Sequence, residues 1–485
     1  MAASLFVFLH GRRIGTLQRK VANGVEFRYD HDVPLNVSLS LSMPSAPRKR
    51  YSADKASPFF NGLLPDGPDA RLRMAQSFGS LDTSTYALLN KAGLDCAGAV
   101  QIYREDTLPE SPGNLVPVSD AHIGARLRAM LGDESVPVQP LKYEEHWSVS
   151  GAQLKMALRW ESGAWHAATG AEPHTHIIKP GIGAFTGVSA GDQALVEHIT
   201  MSAARALGVD AAQTSYYEFD GVPAIIVERF DRYRDKAGIL RRVHQEDMCQ
   251  ALGVDSTAKY ETDGGPGLAA VAGVLWSAVA VPADAEADVA RFAIMVAFNY
   301  LSESSDAHAK NYSLMYDEHA EAYLAPMYDA ASGAIASRPD GSRRFPRAAM
   351  ALGTQREFTR ANRSDWTAAL RGAGLSLDGG IDEVVRDLAV HMPDAFADAI
   401  RHSGAPSTAQ QRLLGSGMIE RIAQSCDAAR SALGEAGLAG GNPSGPGIGH
   451  EVRCGAWMPN MQRRCTLPRG HDGWPLAGHG SSTSS

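Results

Sequence analysis

Residues 301–329 read LSESSDAHAKNYSLMYDEHAEAYLAPMYD. Asp306, His308, Lys310 and Asn311 stand together straight after a long apolar stretch, two short runs then flank a charged turn, and Asp329 closes the segment. The stretch before Asp306 reads as a helix and the two runs as a hairpin with Asp329 at its exit. A polar cluster placed between a helix and a hairpin is either a solvated helix end or a loop built for chemistry.

Working outward, the chain from Gln245 onward reads as almost wholly helical, broken only by this hairpin. Its longest nearly apolar run, LAAVAGVLWSAVAV, has 14 residues, too few to span a bilayer and suited to a buried helix. Before Gln245, β-rich runs alternate with turn signals. AQLKMALRWESGAWHAAT reads as a hairpin around SG, HTHIIKP as a short strand, and SYYEFDGVPAIIVERFDR as a hairpin around DG. Between them DQALVEHITMSAARALGV carries Leu195, Ile199, Ala203 and Leu207 at helical spacing, with Gly208 near its end. The opening LFVFLHGRRIGTLQRKVANGVEFRYD reads as a meander with HG and NG turns, and PDARLRMAQSF and TSTYALLNKAG as helices. An α+β fold follows, divided into an N-terminal subdomain (1–105), a linker region (106–142), a β-rich lobe (143–243), a helical lobe (244–433), a Gly/Pro/Ser-rich flexible linker (434–450) and a Cys/His-containing tail (451–485).

With 485 residues, 44% of them hydrophobic, the chain can bury cores for two or three domains. A net charge of −8 gives no overall field for nucleic acid, though a local basic patch stays open. The start MAASLFVFLHGRR has its basic residues after a short apolar run, which is not a secretory signal, so a cytoplasmic protein without a membrane partner is expected. Five cysteines spread thinly through the chain do not suggest a disulfide framework.

Phosphoryl transfer needs a carboxylate to position the attacking hydroxyl, oxygen ligands for Mg2+ and a cation on the nucleotide phosphates. Asp306, Asn311 and Asp329 can supply the first two, and the Asp-x-x-x-x-Asn spacing equals that of the protein-kinase catalytic loop. Capping and turn chemistry use the same residue types, so the pair alone is a weak signal. Lys179, at the end of the HIIKP strand, is a candidate cation, and SVSGAQLK (148–155) a candidate phosphate cradle, although it is no Walker A loop and a lone SGAQ turn is more often a hairpin corner. Glu197, midway in the helix after that strand, could pair with Lys179 or face solvent.

SVSGAQLK, HIIKP, VERFDR (227–232), HQEDMCQALGV (244–254), DAHAKN (306–311) and LAPMYD (324–329), in this order, resemble the HipA-type toxin Ser/Thr kinases of bacterial type II toxin–antitoxin systems, and FFNGLLPDGPDAR (59–71) resembles that family's first domain. The resemblance runs from about residue 4 to about 430. It implies a two-lobed protein-kinase-like fold with a mostly helical C-terminal lobe. It also implies ATP and Mg2+ as cofactors, with Asp306 catalytic and Asn311 and Asp329 holding the metal. Ser150, Gly151, Ala152, Gln153, Leu154 and Lys155 would form the phosphate loop and Lys179 would meet the phosphates. Glu228, Arg229 and Phe230 would be the adenine hinge, with His308, Lys310 and Tyr328 also in the nucleotide site. Ser148 matches the serine that family members autophosphorylate. The partners implied are a protein of the translation machinery as substrate, in relatives an aminoacyl-tRNA synthetase, and a helix-turn-helix, HipB-like antitoxin through which DNA is contacted.

Two other functions fit a weaker reading of the same residues: a catalytically silent co-repressor partner of the antitoxin, and a small-molecule kinase. In the tail, Cys454, Cys465, His471 and His479 offer two thiolates and two imidazoles to Zn2+, but no C-x2-C knuckle is present.

Overall fold

The structure, a computed structural model, describes residues 4–434 apart from 21–23, 111–112, 133–146, 149, 152, 182–187, 339 and 377–379. The Zn2+ candidates Cys454, Cys465, His471 and His479, and the position of Ala152, therefore lie outside the described residues, as do 435–450 of the flexible linker and 133–142 of the linker region.

Three two-residue turns have the chemistry the sequence announces. His10-Gly11, Ser162-Gly163 and Asp220-Gly221 all take positive φ, between 49° and 81°, the twist that a tight hairpin requires. The first joins β1 (Ser4–Leu9) to β2 (Arg12–Arg19); with β3 (Val25–Tyr29), β4 (Arg50–Tyr51) and β5 (Val100–Tyr103) they form an antiparallel sheet in the order β4-β3-β2-β1-β5. Helices α1 (Ala53–Gly62), α2 (Pro68–Ser77) and α3 (Thr85–Ala92) complete this N-terminal unit, and Phe27, Tyr29, Phe59 and Phe60 fill its core.

The second unit is a six-stranded sheet of β6 (Leu115–Pro117), β7 (Met156–Glu161), β8 (Ala164–Ala168), β9 (His176–Pro180), β10 (Thr214–Phe219) and β11 (Val222–Glu228), in the order β10-β11-β9-β7-β8-β6. Helix α4 (Asp120–Met130) buries Ile123 and Leu127 against it, in one core with Leu158, Trp165 and Phe219. Thus part of the segment read as a linker, 106–142, supplies an edge strand and a helix to this lobe. Helix α5 (Ala190–Ala206) follows β9, its N-cap Ser189 accepting from the Asp192 N–H at 3.0 Å.

The third unit is mainly helical. After the small hairpin β12 (Arg232–Arg234) and β13 (Leu240–Arg242) come β14 (His244–Asp247), α6 (Met248–Leu252), α7 (Leu268–Ala278), α8 (Pro282–Leu301), β15 (Ser313–Tyr316) and β16 (Ala322–Leu324). The apolar run from Leu268 ends its helix at Ala278 because Pro282 opens the next one and Val279 to Val281 turn extended. Then follow β17 (Arg347–Leu352), β18 (Gln355–Glu357), α9 (Arg363–Gly372), α10 (Ile381–Arg401), α11 (Ser407–Leu414) and α12 (Met418–Leu433). Phe292, Phe298, Tyr300, Trp366 and Phe396 are buried in one core with α5 and α7. The region after Gln245 is less purely helical than its pattern suggests. β14 pairs with β15, so the hairpin is part of a three-stranded sheet, and β17–β18 make a further hairpin across Gly353, whose φ is 59°.

No helix among the described residues is long and apolar enough to cross a membrane. Cys96, Cys249 and Cys426 are buried and unpaired.

Candidate active site

A cleft of about 810 Å³ opens where the three units meet, a volume in the range of small-ligand sites. Its floor begins at the end of α8. Glu303, fully buried, takes the left-handed φ of 56°, and its carboxylate is fixed by Arg343 (2.8 Å) and Ser425 (2.6 Å), so the chain is turned sharply before Asp306. Asp306 is exposed into the cleft, whereas His308, Lys310 and Asn311 are buried in its wall. Asn311 donates its amide nitrogen inward, to the carbonyl of Asp306 at 2.9 Å and of Asp329 at 3.4 Å. Its amide oxygen is thereby the atom available to a cation.

Asp329 leaves the β15–β16 hairpin with φ 57°, a conformation disfavoured for most side chains but more accessible to Asp. Lys179 on β9 reaches both Asp329 (2.5 Å) and Glu197 of α5 (2.6 Å). Burial alone would weaken the Lys179 ammonium, and the two carboxylates reverse that, holding it above the ordinary lysine range. Burial would likewise raise Asp329, but Lys179 and then Lys155 keep it well below the usual carboxylate range. A Lys on a strand paired to a Glu on the adjoining helix is the pairing that active protein kinases assemble.

Ser148, Ser150, Gly151, Gln153 and Lys155 stand on the opposite lip. Gly151 has φ 107°, and a Cβ there would stand 2.5 Å from the Lys155 ammonium, so the position requires glycine. Lys155 donates to the Ser150 carbonyl at 2.6 Å and Gln153 to the Pro180 carbonyl at 2.5 Å. Ser150, Gly151, Gln153 and Lys155 line the cleft, and Leu154 is outside its lining. Ser148 is fully buried. Its hydroxyl donates to the Leu63 carbonyl at 2.5 Å and its N–H to the Asp95 carbonyl at 3.0 Å, so the N-terminal unit grips the start of the loop. The Asp66 N–H grips the other end through the Gly151 carbonyl at 3.2 Å.

Glu228, Arg229 and Phe230 also line the cleft, at the end of β11. Phe230 packs on Tyr328 at 5.5 Å between ring centres, while Tyr328 donates to the Lys310 carbonyl at 2.7 Å. The Arg229 guanidinium turns away into a buried cluster, bonded to Asp231 at 2.9 Å and facing Asp95 at 3.4 Å. Its backbone N–H donates to the Thr175 carbonyl at 2.9 Å, so Arg229 offers a ligand neither its guanidinium nor its N–H.

Several cleft residues escape sequence reasoning. Asp66 of the N-terminal unit pairs with Lys310 (2.7 Å) and Lys259 (3.2 Å), and the Tyr260 hydroxyl donates to Asp306 Oδ1 at 2.5 Å. The run KYETDGGPG (259–267), with three glycines in nine residues, is the signal that a special loop lies there.

Among the described residues no three His, Cys, Asp or Glu side chains form a metal cage. Mg2+ asks for less, one or two protein oxygens completed by phosphate and water. The Asp329 side chain, 39% exposed, and the Asn311 amide oxygen are a donor set of that kind.

A family model described as HipA-like C-terminal domain matches residues 147–396, and one described as HipA N-terminal domain matches 5–103. Y4mE of Sinorhizobium fredii, which carries the name of a kinase, is 33% identical over 407 residues, 82% of this chain and 90% of its own. The serine/threonine-protein kinase toxin HipA of Shewanella oneidensis is 32% identical over 277 residues, 54% of this chain and 60% of its own. In a solved complex of a Shewanella oneidensis HipA with HipB and operator DNA, one chain superposes with a TM-score of 0.70 at 24% identity, covering 88% of this chain and 97% of that one.

Proposed function

This chain belongs to the HipA family of serine/threonine kinases, and from that premise we propose that it transfers the γ-phosphate of ATP to a protein serine or threonine with Mg2+, as the growth-arresting toxin of a type II toxin–antitoxin module. The observation that carries the reading is the convergence of Asp306, Asn311 and Asp329 with the Lys179–Glu197 pair on one nucleotide-sized cleft. A dead scaffold would have no use for a buried lysine held charged beside an open aspartate.

In this reading Asp306 accepts the proton of the attacking hydroxyl while its oxygen bonds to the γ-phosphorus and the bond to ADP breaks. Lys179 and Lys155 face the phosphates, with Ser150 to Lys155 as their cradle, and the backbone of Glu228 to Phe230 meets adenine. Asn311 and Asp329 would hold Mg2+, which when bound neutralises charge on the phosphates. The substrate proposed is an aminoacyl-tRNA synthetase or another translation protein in the cytoplasm. A HipB-like helix-turn-helix antitoxin is the proposed partner, supported by the assembly in which the Shewanella oneidensis HipA was solved, and DNA is reached through it. Phosphoproteomics of cells expressing the wild type or Asp306→Asn tests this. Asp306-dependent phosphoserine on a translation protein is expected, and no Asp306-dependent phosphosite on any protein would contradict it.

Two further outcomes are expected. Partial burial of the Lys155 ammonium, and then Lys179 beside it, push its pKa down to about 8. Only the protonated form attracts phosphate, so nucleotide affinity is present below that value and declines as pH rises through it. A hydrogen bond to a charged group is worth about 1.5 kcal/mol or more, so Kd should rise about tenfold between about pH 7 and 9. Calorimetric titration of wild type and Lys155→Arg checks this; a flat wild-type profile, or an equal slope in the arginine variant, would contradict it.

Ser148 has no space for a phosphate where it stands, since its hydroxyl is enclosed against the Leu63 carbonyl. Adding about two negative charges there would break the grip of the N-terminal unit and drive the loop out of the cleft, switching the kinase off. Preincubation with ATP should therefore inactivate the wild type progressively and leave Ser148→Ala at its initial rate. Equal loss in both chains would remove Ser148 from regulation.

A further inference from the structure

Tyr260 is placed with more care than a packing residue needs. Its carbonyl accepts from the N–H groups of Asp263 (3.0 Å) and Gly265 (2.9 Å). A Cβ on Gly265 would come within 2.0 Å of the Ala258 carbonyl oxygen, so the loop closes this tightly only with glycine there. Lys259, on one side, is tied to Asp66 of the N-terminal unit at 3.2 Å. Glu261, on the other, accepts from the Ala351 N–H at 2.8 Å and from Arg356 at 2.9 Å. Between these two anchors the Tyr260 ring stands edge-on to His308, with centres 4.9 Å apart, and its hydroxyl donates to Asp306 Oδ1 at 2.5 Å.

We infer that Tyr260 is a positioning residue for phosphoryl transfer: its hydroxyl fixes the Asp306 carboxylate through Oδ1 and leaves Oδ2 to receive the acceptor hydroxyl. The inference rests on the kinase reading of the cleft. A carboxylate on an exposed loop has free side-chain rotation, and an acceptor hydroxyl must meet it with the phosphate in line. A donor anchored from two units of the protein removes that rotation before substrate arrives. Burial, and then the Asp306 charge, raise Tyr260 above the ordinary tyrosine range, so it remains a donor through the working pH. The placement also ties the catalytic loop to the N-terminal unit, through Asp66, Lys259 and Tyr260 in sequence.

The test is steady-state kinetics of phosphate transfer to a protein substrate by the full chain, wild type, Tyr260→Phe and Asp306→Asn, beside nucleotide affinity by calorimetry. Tyr260→Phe removes one hydroxyl and keeps the ring against His308. Its kcat should fall about 10- to 100-fold, the effect of a reacting group misplaced by a fraction of an ångström to an ångström, with ATP affinity and the KM for ATP within about twofold of wild type. An unchanged kcat would overturn the inference, as would a loss shared between kcat and ATP affinity, which marks general disturbance of the fold. A wild type that transfers no phosphate would instead overturn the kinase reading beneath it.

Discussion

Asp306→Asn is expected to lower phosphate transfer about a thousandfold, within the range that a positioned proton acceptor contributes, while the protein stays folded and binds nucleotide. The side chain is exposed in the cleft and removes no core volume when changed, and exposed substitutions of this kind shift stability by about 0.5 kcal/mol or less. Asparagine keeps the shape and can still accept from Tyr260, but it cannot take a proton from the acceptor. A growth assay reads the same change in cells: induction of the wild type arrests growth and induction of the variant does not. Radiolabel transfer at saturating ATP gives the magnitude, and a variant with more than a tenth of wild-type rate would remove Asp306 from the chemistry.

Asp95→Ala is the substitution with the largest expected effect on stability. The carboxylate is fully buried between the N-terminal unit and the end of β11. Oδ1 accepts from Arg232 and Arg242 at 2.9 Å, and Oδ2 from the His174 N–H at 3.0 Å, with Arg229 at 3.4 Å. Burial would raise its pKa, and Arg232, Arg242 and Arg229 drive it well below the carboxylate range. Its contribution is therefore fully present above about pH 4 and is lost only as pH falls through the lower folded value. Alanine would take from Arg242 its carboxylate partner and leave the buried Arg229 and Arg232 sharing Asp231, a change worth about 3 to 5 kcal/mol. Urea denaturation followed by fluorescence should show the first cooperative transition moved by that amount. A shift under about 1 kcal/mol would mean that Asp231, already paired with Arg229 and Arg232, and water suffice for the cluster.

Much of the fold was legible because tight turns announce themselves. HG, SG and DG each fell at a hairpin apex with both residues at positive φ, and the helix-to-hairpin passage around Asp306 followed from apolar spacing. The parts that were not legible share a physical cause, which is burial of polar residues by partners distant in sequence. β14 reads HQED because Glu246 is satisfied by Ser40 (2.5 Å), the Leu41 N–H (3.0 Å) and Tyr316, so a strand with no apolar alternation is stable only inside the folded interface. Glu197 had no readable face because α5 is buried on every side from Ala194 to Thr200, which erases the amphipathic stripe. Asp66 sits 244 residues from Lys310, and no local pattern reports a contact of that range. Asp306, Asn311 and Asp329 were visible together because they fall within one short segment, whereas Tyr260 was hidden because its role depends on a loop that folds back from outside it.

Intact-mass and phosphopeptide measurement on the purified full chain, incubated with ATP and Mg2+ beside Asp306→Asn, tests the central claim most directly. The account predicts one phosphate on the wild type, mapped to Ser148, and none on the variant. No phosphate on either chain together with no nucleotide binding would contradict it, and the cleft would then have to be explained as something other than a kinase site.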